Sequence, residues 1–198
     1  MNFETWLFDI LELEEAPFLN DESQVIPHFI YLNENIGSLV AEWGEEAMAQ
    51  AIWSAYGMGT WNGIFNGPYT SVHHQLLHSL KNLYLRGFEP YCSEHYGNQG
   101  PQPPKPMNAP CYMLWDMGGI ECMARPGSPM IDVIFDTLRF ILAMGHGACQ
   151  HSALHGLGHL ACSLSHKTTP LLEEYLSGKN IPEALRTYAR SAMSGCVL

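Results

Sequence analysis

Three histidines recur at four-residue intervals in ACQHSALHGLGHLACSL, residues 148–164: His151, His155 and His159, with Cys149 and Cys162 close by. Imidazole and thiolate are the ligand types zinc prefers, and a histidine pair four apart on a helix can chelate one ion. At 100° per residue, Leu154, Leu157, Leu160, Ala161 and Leu164 fall on one side of this helix. The three histidines and Cys162 gather within about 80° on the other, so they face solvent or a second packing partner. A rise of about 1.5 Å per residue separates His151 from His159 by about 12 Å, too far to share one ion. His155, His159 and Cys162 are ligands of the right type, but a site there needs a further ligand from elsewhere in the chain and acids behind the imidazoles. The metalloprotease pattern HExxH is absent. The preferred reading is packing: Gly156 and Gly158, each costing about 1 kcal/mol in a helix interior, let another helix approach, and the histidines bond to nearby backbone or acids. Metal binding is the alternative.

Other residues with chemical potential are more diffuse. His73, His74 and His78 form a second cluster; His74 and His78 lie on a polar face with Lys81 and Asn82, and His73 lies beside Leu77, Leu80 and Tyr84. The expectation is a solvated pair and one hydrogen-bonded histidine at the core edge. Cys92 and His95, in YCSEHYG, could join His159 and Cys162 in a mixed Cys₂His₂ site, although the spacing matches no recognised zinc pattern. No G-x-S-x-G elbow and no phosphate-binding G-x-x-x-x-G-K-[ST] loop occurs. The paired acids Glu14/Glu15, Glu45/Glu46 and Glu173/Glu174 are adjacent residues, splayed about 100° apart on a helix, and read as solvated faces rather than acid–base dyads. Trp61 and Phe65, in a glycine-rich stretch, either pin that loop to the core or stand exposed as anchors for a partner. No catalytic residue, bound metal or cofactor is assigned.

The elements that must position these side chains are helices. Phe3, Trp6, Leu7, Ile10 and Leu11 share one face of a first helix. A second is expected over Asp21–Leu32, with Pro27 tolerable in its first turn, and a third from about Ser38 to Tyr56, interrupted by Gly44. Thr70 or Ser71 caps the next, which Gly87 ends. Five prolines in GNQGPQPPKPMNAP predict an extended connector near 97–110 between two helical halves of one domain, residues 1–198. Ser128 with Pro129, Thr169 with Pro170, and Asn180 with Pro182 open later helices, and Gly178 closes the one before the last. PMIDVIFDTLRFILAM is apolar nearly all round and must be buried between neighbours.

The chain has 198 residues, 46% hydrophobic and 15% charged, which suits a folded domain with a real core. Twenty acidic against nine basic residues give a formal net charge of −11. Such a balance argues against nucleic acid and favours a protein partner, a basic one included. The N-terminal MNFETWLFDILELEEAPF lacks the charge pattern of a signal peptide, and no apolar run reaches membrane-spanning length. The six cysteines form no CxxC pair and read as reduced thiols in a cytoplasmic protein.

Helix starts at Ser128 and Thr169, about 40 residues apart, fall in the range of two-helix repeats. Together with CYMLWDMGGIECM, ALHGLGHL and LRTYARSAMSGCVL, this C-terminal part resembles bacterial HEAT-like helical proteins. The resemblance implies an α-solenoid of stacked antiparallel hairpins and an interaction role, and supplies no catalytic residues. The functional expectation is therefore an all-α, non-enzymatic protein that binds a protein partner, an immunity protein neutralising a bacterial toxin among the candidates. Glu14, Glu15, Glu45, Glu46, Trp61, Phe65, Glu173 and Glu174 are its expected contact residues. A metal-binding protein or metal-dependent hydrolase built on the histidine helix is the alternative.

Overall fold

The computed structural model describes residues 2–12, 22–57, 64–65, 68–96 and 100–197. Among them the chain is helical without a β-sheet: α1 (Phe3–Glu12), α2 (Glu22–Trp43), α3 (Glu45–Tyr56), α4 (Ser71–Leu83), α5 (Asn108–Met117), α6 (Ile120–Met123), α7 (Ile131–Leu142), α8 (Gly147–Leu160), α9 (Ser165–Leu176) and α10 (Glu183–Met193). No helix among the described residues is long and apolar enough to cross a membrane.

Several boundaries differ from the sequence pattern for local reasons. The two helices expected over 21–32 and 38–56 are instead cut at Gly44, whose φ of 89° suits glycine, so α2 runs unbroken past Gly37 and carries Pro27 beyond its first turn. Burial of Val25, Ile26, Phe29 and Leu32 on one face outweighs the hydrogen bond that Pro27 removes. Gly87 does not end α4. The chain continues through a π turn, Tyr84–Phe88, and a further helical turn, Glu89–Tyr91. Gly87 is required by close approach instead: a Cβ there would lie 2.9 Å from Ile36 Cγ1 of α2. The start expected at Thr169 lies earlier, at Ser165, and Pro170 sits within α9. The start expected at Ser128 lies later: Met130 is the N-cap of α7, and Ser128 Oγ accepts from Met130 N at 3.2 Å in the turn that precedes the helix.

The helices share one continuous core. α2 packs on α4, α4 on α7, and α7 on α8, while α3 bridges α2 and α5 and α1 covers α2 and α3. α8 is the hub, packed by α5, α6, α7, α9 and α10. A helix enclosed this way has few polar residues to spare, and every residue from Gly147 to Gly158 is buried except Gln150. Asn108 helps tie down the proline-rich connector. Its Oδ1 accepts from Ser93 N at 3.0 Å and Lys105 N at 2.8 Å, while its Nδ2 donates to Ser93 O at 3.0 Å. That clamp sets where α5 begins.

Candidate metal centre

The two glycines of α8 determine what stands opposite its histidines. A Cβ on Gly156 would lie 2.8 Å from Trp115 Cγ of α5, and one on Gly158 would lie 2.3 Å from Val197 Cγ1 of the C-terminal tail. The close approach expected of these glycines is thus present, by a helix at Gly156 and by the tail at Gly158. Trp115 can settle against α8 only because residue 156 has no side chain, and that contact brings the next residue, Asp116, over His155 and His159. Ser152 locks the same pair of helices from below, donating to the Cys111 carbonyl while accepting from Tyr84 Oη at 2.6 Å.

Three ligand atoms converge there. His159 Nε2 lies 2.9 Å from Asp116 Oδ1 and 3.1 Å from His155 Nε2, and His155 Nε2 lies 3.5 Å from Asp116 Oδ2. With metal–ligand bonds of about 2.0–2.1 Å, neighbouring ligands of one ion stand about 2.9 Å apart in an octahedron and about 3.4 Å apart in a tetrahedron. The observed edges span that range, and one oxygen or the other of the carboxylate meets each imidazole. Among the described residues this is the group of three or more ligating side chains whose donor atoms lie within 4.8 Å of one another.

The surroundings follow the pattern of a metal site with an open side. His155 is buried, His159 partly so, and Asp116 is exposed, so the triangle has a closed floor and a solvent-facing edge. Behind His155, Tyr188 Oη of α10 lies 2.7 Å from Nδ1, and Tyr112 Oη of α5 lies 3.0 Å beyond. Behind His159, Glu121 Oε1 of α6 lies 3.7 Å from Nδ1. Burial, with His159 next to it, pulls the His155 pKa below the usual histidine value, against the opposing pull of Asp116. The ring is therefore held neutral, the form that ligates. Burial raises the Tyr188 and Tyr112 phenols, which stay protonated.

His151 does not join the group. It is sandwiched by Tyr112, stacked at 4.7 Å between ring centroids, and Tyr188, edge-on at 4.2 Å. Burial depresses its pKa to about 3. Of the two surroundings the helix wheel left open, solvent or a second packing partner, the histidine face meets the second, formed by α5 and α10.

The remaining sequence candidates are dispersed. His95 Nδ1 meets Gln102 O at 3.0 Å, Cys162 is exposed, and Cys92 lies buried near Cys111, so the mixed Cys₂His₂ arrangement does not assemble. His74 and His78 are exposed on α4. His73 is buried, with Nδ1 accepting from Thr70 N at 3.1 Å and Nε2 donating to Ile64 O at 2.9 Å. Phe65, expected either to pin its loop to the core or to stand exposed as an anchor, does the former: it is 5% exposed and packs against Tyr69 and His73, so it is not the exposed contact residue proposed for a partner. Glu46, Glu173 and Glu174 are exposed, Glu45 partly so, on the separate helices α3 and α9. Glu14, Glu15 and Trp61 lie outside the described residues. Asp116 and Glu121, the acids the histidine pair needed, went unassigned from sequence. Their one signal was a carboxylate beside a tryptophan in LWDMGGIEC, and its meaning appears only once Trp115 is seen against Gly156.

No protein-family model, curated protein or solved structure matches the chain.

Proposed function

We propose that this chain is a metalloprotein that holds one divalent first-row ion on Asp116, His155 and His159. The observation that carries the reading is the convergence of two imidazole nitrogens, 3.1 Å apart, on the two oxygens of one carboxylate, 2.9 Å from His159 and 3.5 Å from His155, with the carboxylate on a different helix from the histidines. Two imidazoles and a carboxylate without thiolate suit Zn²⁺ or Fe²⁺. Three protein ligands would leave positions for water on the exposed side, as in catalytic rather than structural sites, and a bound zinc ion would supply Lewis acidity there. Metal-assisted hydrolysis is the reaction class such an arrangement serves. The purified protein, assayed by elemental mass spectrometry after zinc loading and gel filtration, should carry one ion per chain. Asp116→Ala and the double substitution His155→Ala, His159→Ala should carry none; loading equal to wild type in either would sink the assignment.

A second reading, the helical interaction protein, is supported by exposed aromatics on the first three helices: Phe8, Tyr31, Trp43 and Trp53. Stacked helix pairs α7–α8 and α9–α10 support a HEAT-like description of the C-terminal part, and a partner of basic character would suit the charge of −11. An immunity role is one form such binding could take. Association with a native partner should then slow as salt rises, and a salt-independent rate would remove the electrostatic part of this reading.

A further inference from the structure

The protons around the donor triangle can be assigned from acceptor capacity alone. The Nε2 atoms of His155 and His159 face each other at 3.1 Å, so one carries a hydrogen and the other a lone pair. His159 Nε2 also lies 2.9 Å from Asp116 Oδ1, and a carboxylate only accepts. Asp116 Oδ2 also faces His155 Nε2, but at 3.5 Å against 2.9 Å, so the shorter contact places the hydrogen on His159 Nε2, and the lone pair of His155 Nε2 points into the site. A neutral His155 with a bare Nε2 must carry its hydrogen on Nδ1, where Tyr188 Oη waits at 2.7 Å. Tyr188 then donates onward to Tyr112 Oη at 3.0 Å.

We infer that Tyr188 is a positioning residue for the metal centre: by accepting from His155 Nδ1 it fixes the tautomer and ring orientation that aim Nε2 at the ion. This rests on the metal reading of the same site. For His159 to ligate through Nε2, its hydrogen would have to move to Nδ1 of the same ring, on the side of Glu121, whereas His155 is already in its ligating form. The two histidines differ in this respect. Glu121 stands 3.7 Å from His159 Nδ1, outside hydrogen-bond distance, so it does not fix that ring. The positioning group also comes from α10, the last helix, which makes the centre depend on how that helix docks.

The test has two arms. Long-range ¹H–¹⁵N correlation spectra of the metal-free protein read the tautomer directly: His155 should be the Nδ1–H form in wild type and lose that preference in Tyr188→Phe, which keeps the ring packed on His151. Zinc affinity, measured by chelator competition, should fall about 10- to 100-fold in Tyr188→Phe, the range for loss of a group behind a metal-bound histidine, and less in Glu121→Gln. An Nε2–H tautomer for His155 in wild type overturns the inference, as does zinc affinity in a folded Tyr188→Phe within twofold of wild type. Failure of wild type to take up zinc would defeat the metal reading, while the tautomer spectrum would still uphold or overturn the role of Tyr188.

Discussion

Two helices of this protein carry histidines four residues apart, and they have opposite fates. On α4, His74 and His78 point to solvent, and the buried member of the cluster, His73, is consumed in holding the helix start. On α8, His155 and His159 converge with a carboxylate from α5, and tyrosines close over them. The spacing is the same in both. What differs is the neighbour: α8 has a glycine between its two histidines that admits Trp115, and so Asp116, whereas among the described residues no carboxylate joins both imidazoles of α4 in a ligand cluster. A chelating pair becomes a candidate centre only when packing delivers the third ligand.

The largest expected effect tests that contrast directly. Replacing His155 with alanine should weaken zinc binding by a thousandfold or more, about 4 kcal/mol, because two remaining ligands cannot hold an ion against water. The double substitution His74→Ala, His78→Ala should leave zinc stoichiometry unchanged and stability within about 0.5 kcal/mol, as usual for exposed positions. Zinc lost from the α4 variant and kept in the α8 variant would reverse the comparison.

Next in size is Gly156→Val. Its Cβ would meet the Trp115 ring at 2.8 Å, and its extra methyls would force α5 away from α8. Overpacking of this kind costs about 1–3 kcal/mol, readable in chemical denaturation. Since the same displacement carries Asp116 off the histidines, zinc affinity should fall together with stability. Lower stability with undiminished zinc affinity would show that Asp116 is not placed by the Trp115 contact.

How much of this was readable beforehand depends on whether the signal is local. Helical periodicity, the close approach at the α8 glycines and the solvated His74/His78 face all follow from residues within a few turns of one another, and the helices formed accordingly. The partner of the histidine pair did not. Asp116 lies about 40 residues before His155, on a helix whose approach depends on Trp115 fitting over Gly156, and no pattern in one sequence encodes that register. Helix limits slipped where tertiary burial overrode a breaker, at Pro27 and Pro170, or where a glycine served close packing rather than a turn, at Gly37 and Gly87.

The two regions should also respond differently to acid, α8 first and more strongly. His151 is held neutral to about pH 3 by burial, with His155 and His95 adding to the shift, whereas in the unfolded chain it protonates near pH 6.5. Between those values the unfolded state binds the extra proton, so stability falls as pH drops through that window. The loss should reach a few kcal/mol by pH 4 and be much reduced in His151→Phe, which keeps an aromatic ring between Tyr112 and Tyr188. Parallel stability–pH curves for the two proteins would show that His151 is not the group responsible.

The smallest effect belongs to α4. Asp136 of α7 pairs with Lys81, and the hydrogen bond from that ammonium holds its carboxyl below the usual aspartate range. A carboxyl depressed in the folded state stabilises fully above its unfolded pKa, near 3.9, and loses that contribution as pH falls through its folded value, a lower window than that of His151. Asp136 is largely exposed, so solvent screening limits the pair to under about 1 kcal/mol. Asp136→Asn should therefore lower stability slightly at pH 7, by less in high salt, and approach wild type as pH falls through the depressed folded value of that carboxyl. It should leave both zinc affinity and the steeper loss between pH 6.5 and 4 untouched, since the two helices share a core but not a proton network. If Asp136→Asn flattened that upper window instead, the acid response assigned to the histidine sandwich of α8 would belong to the α4–α7 contact.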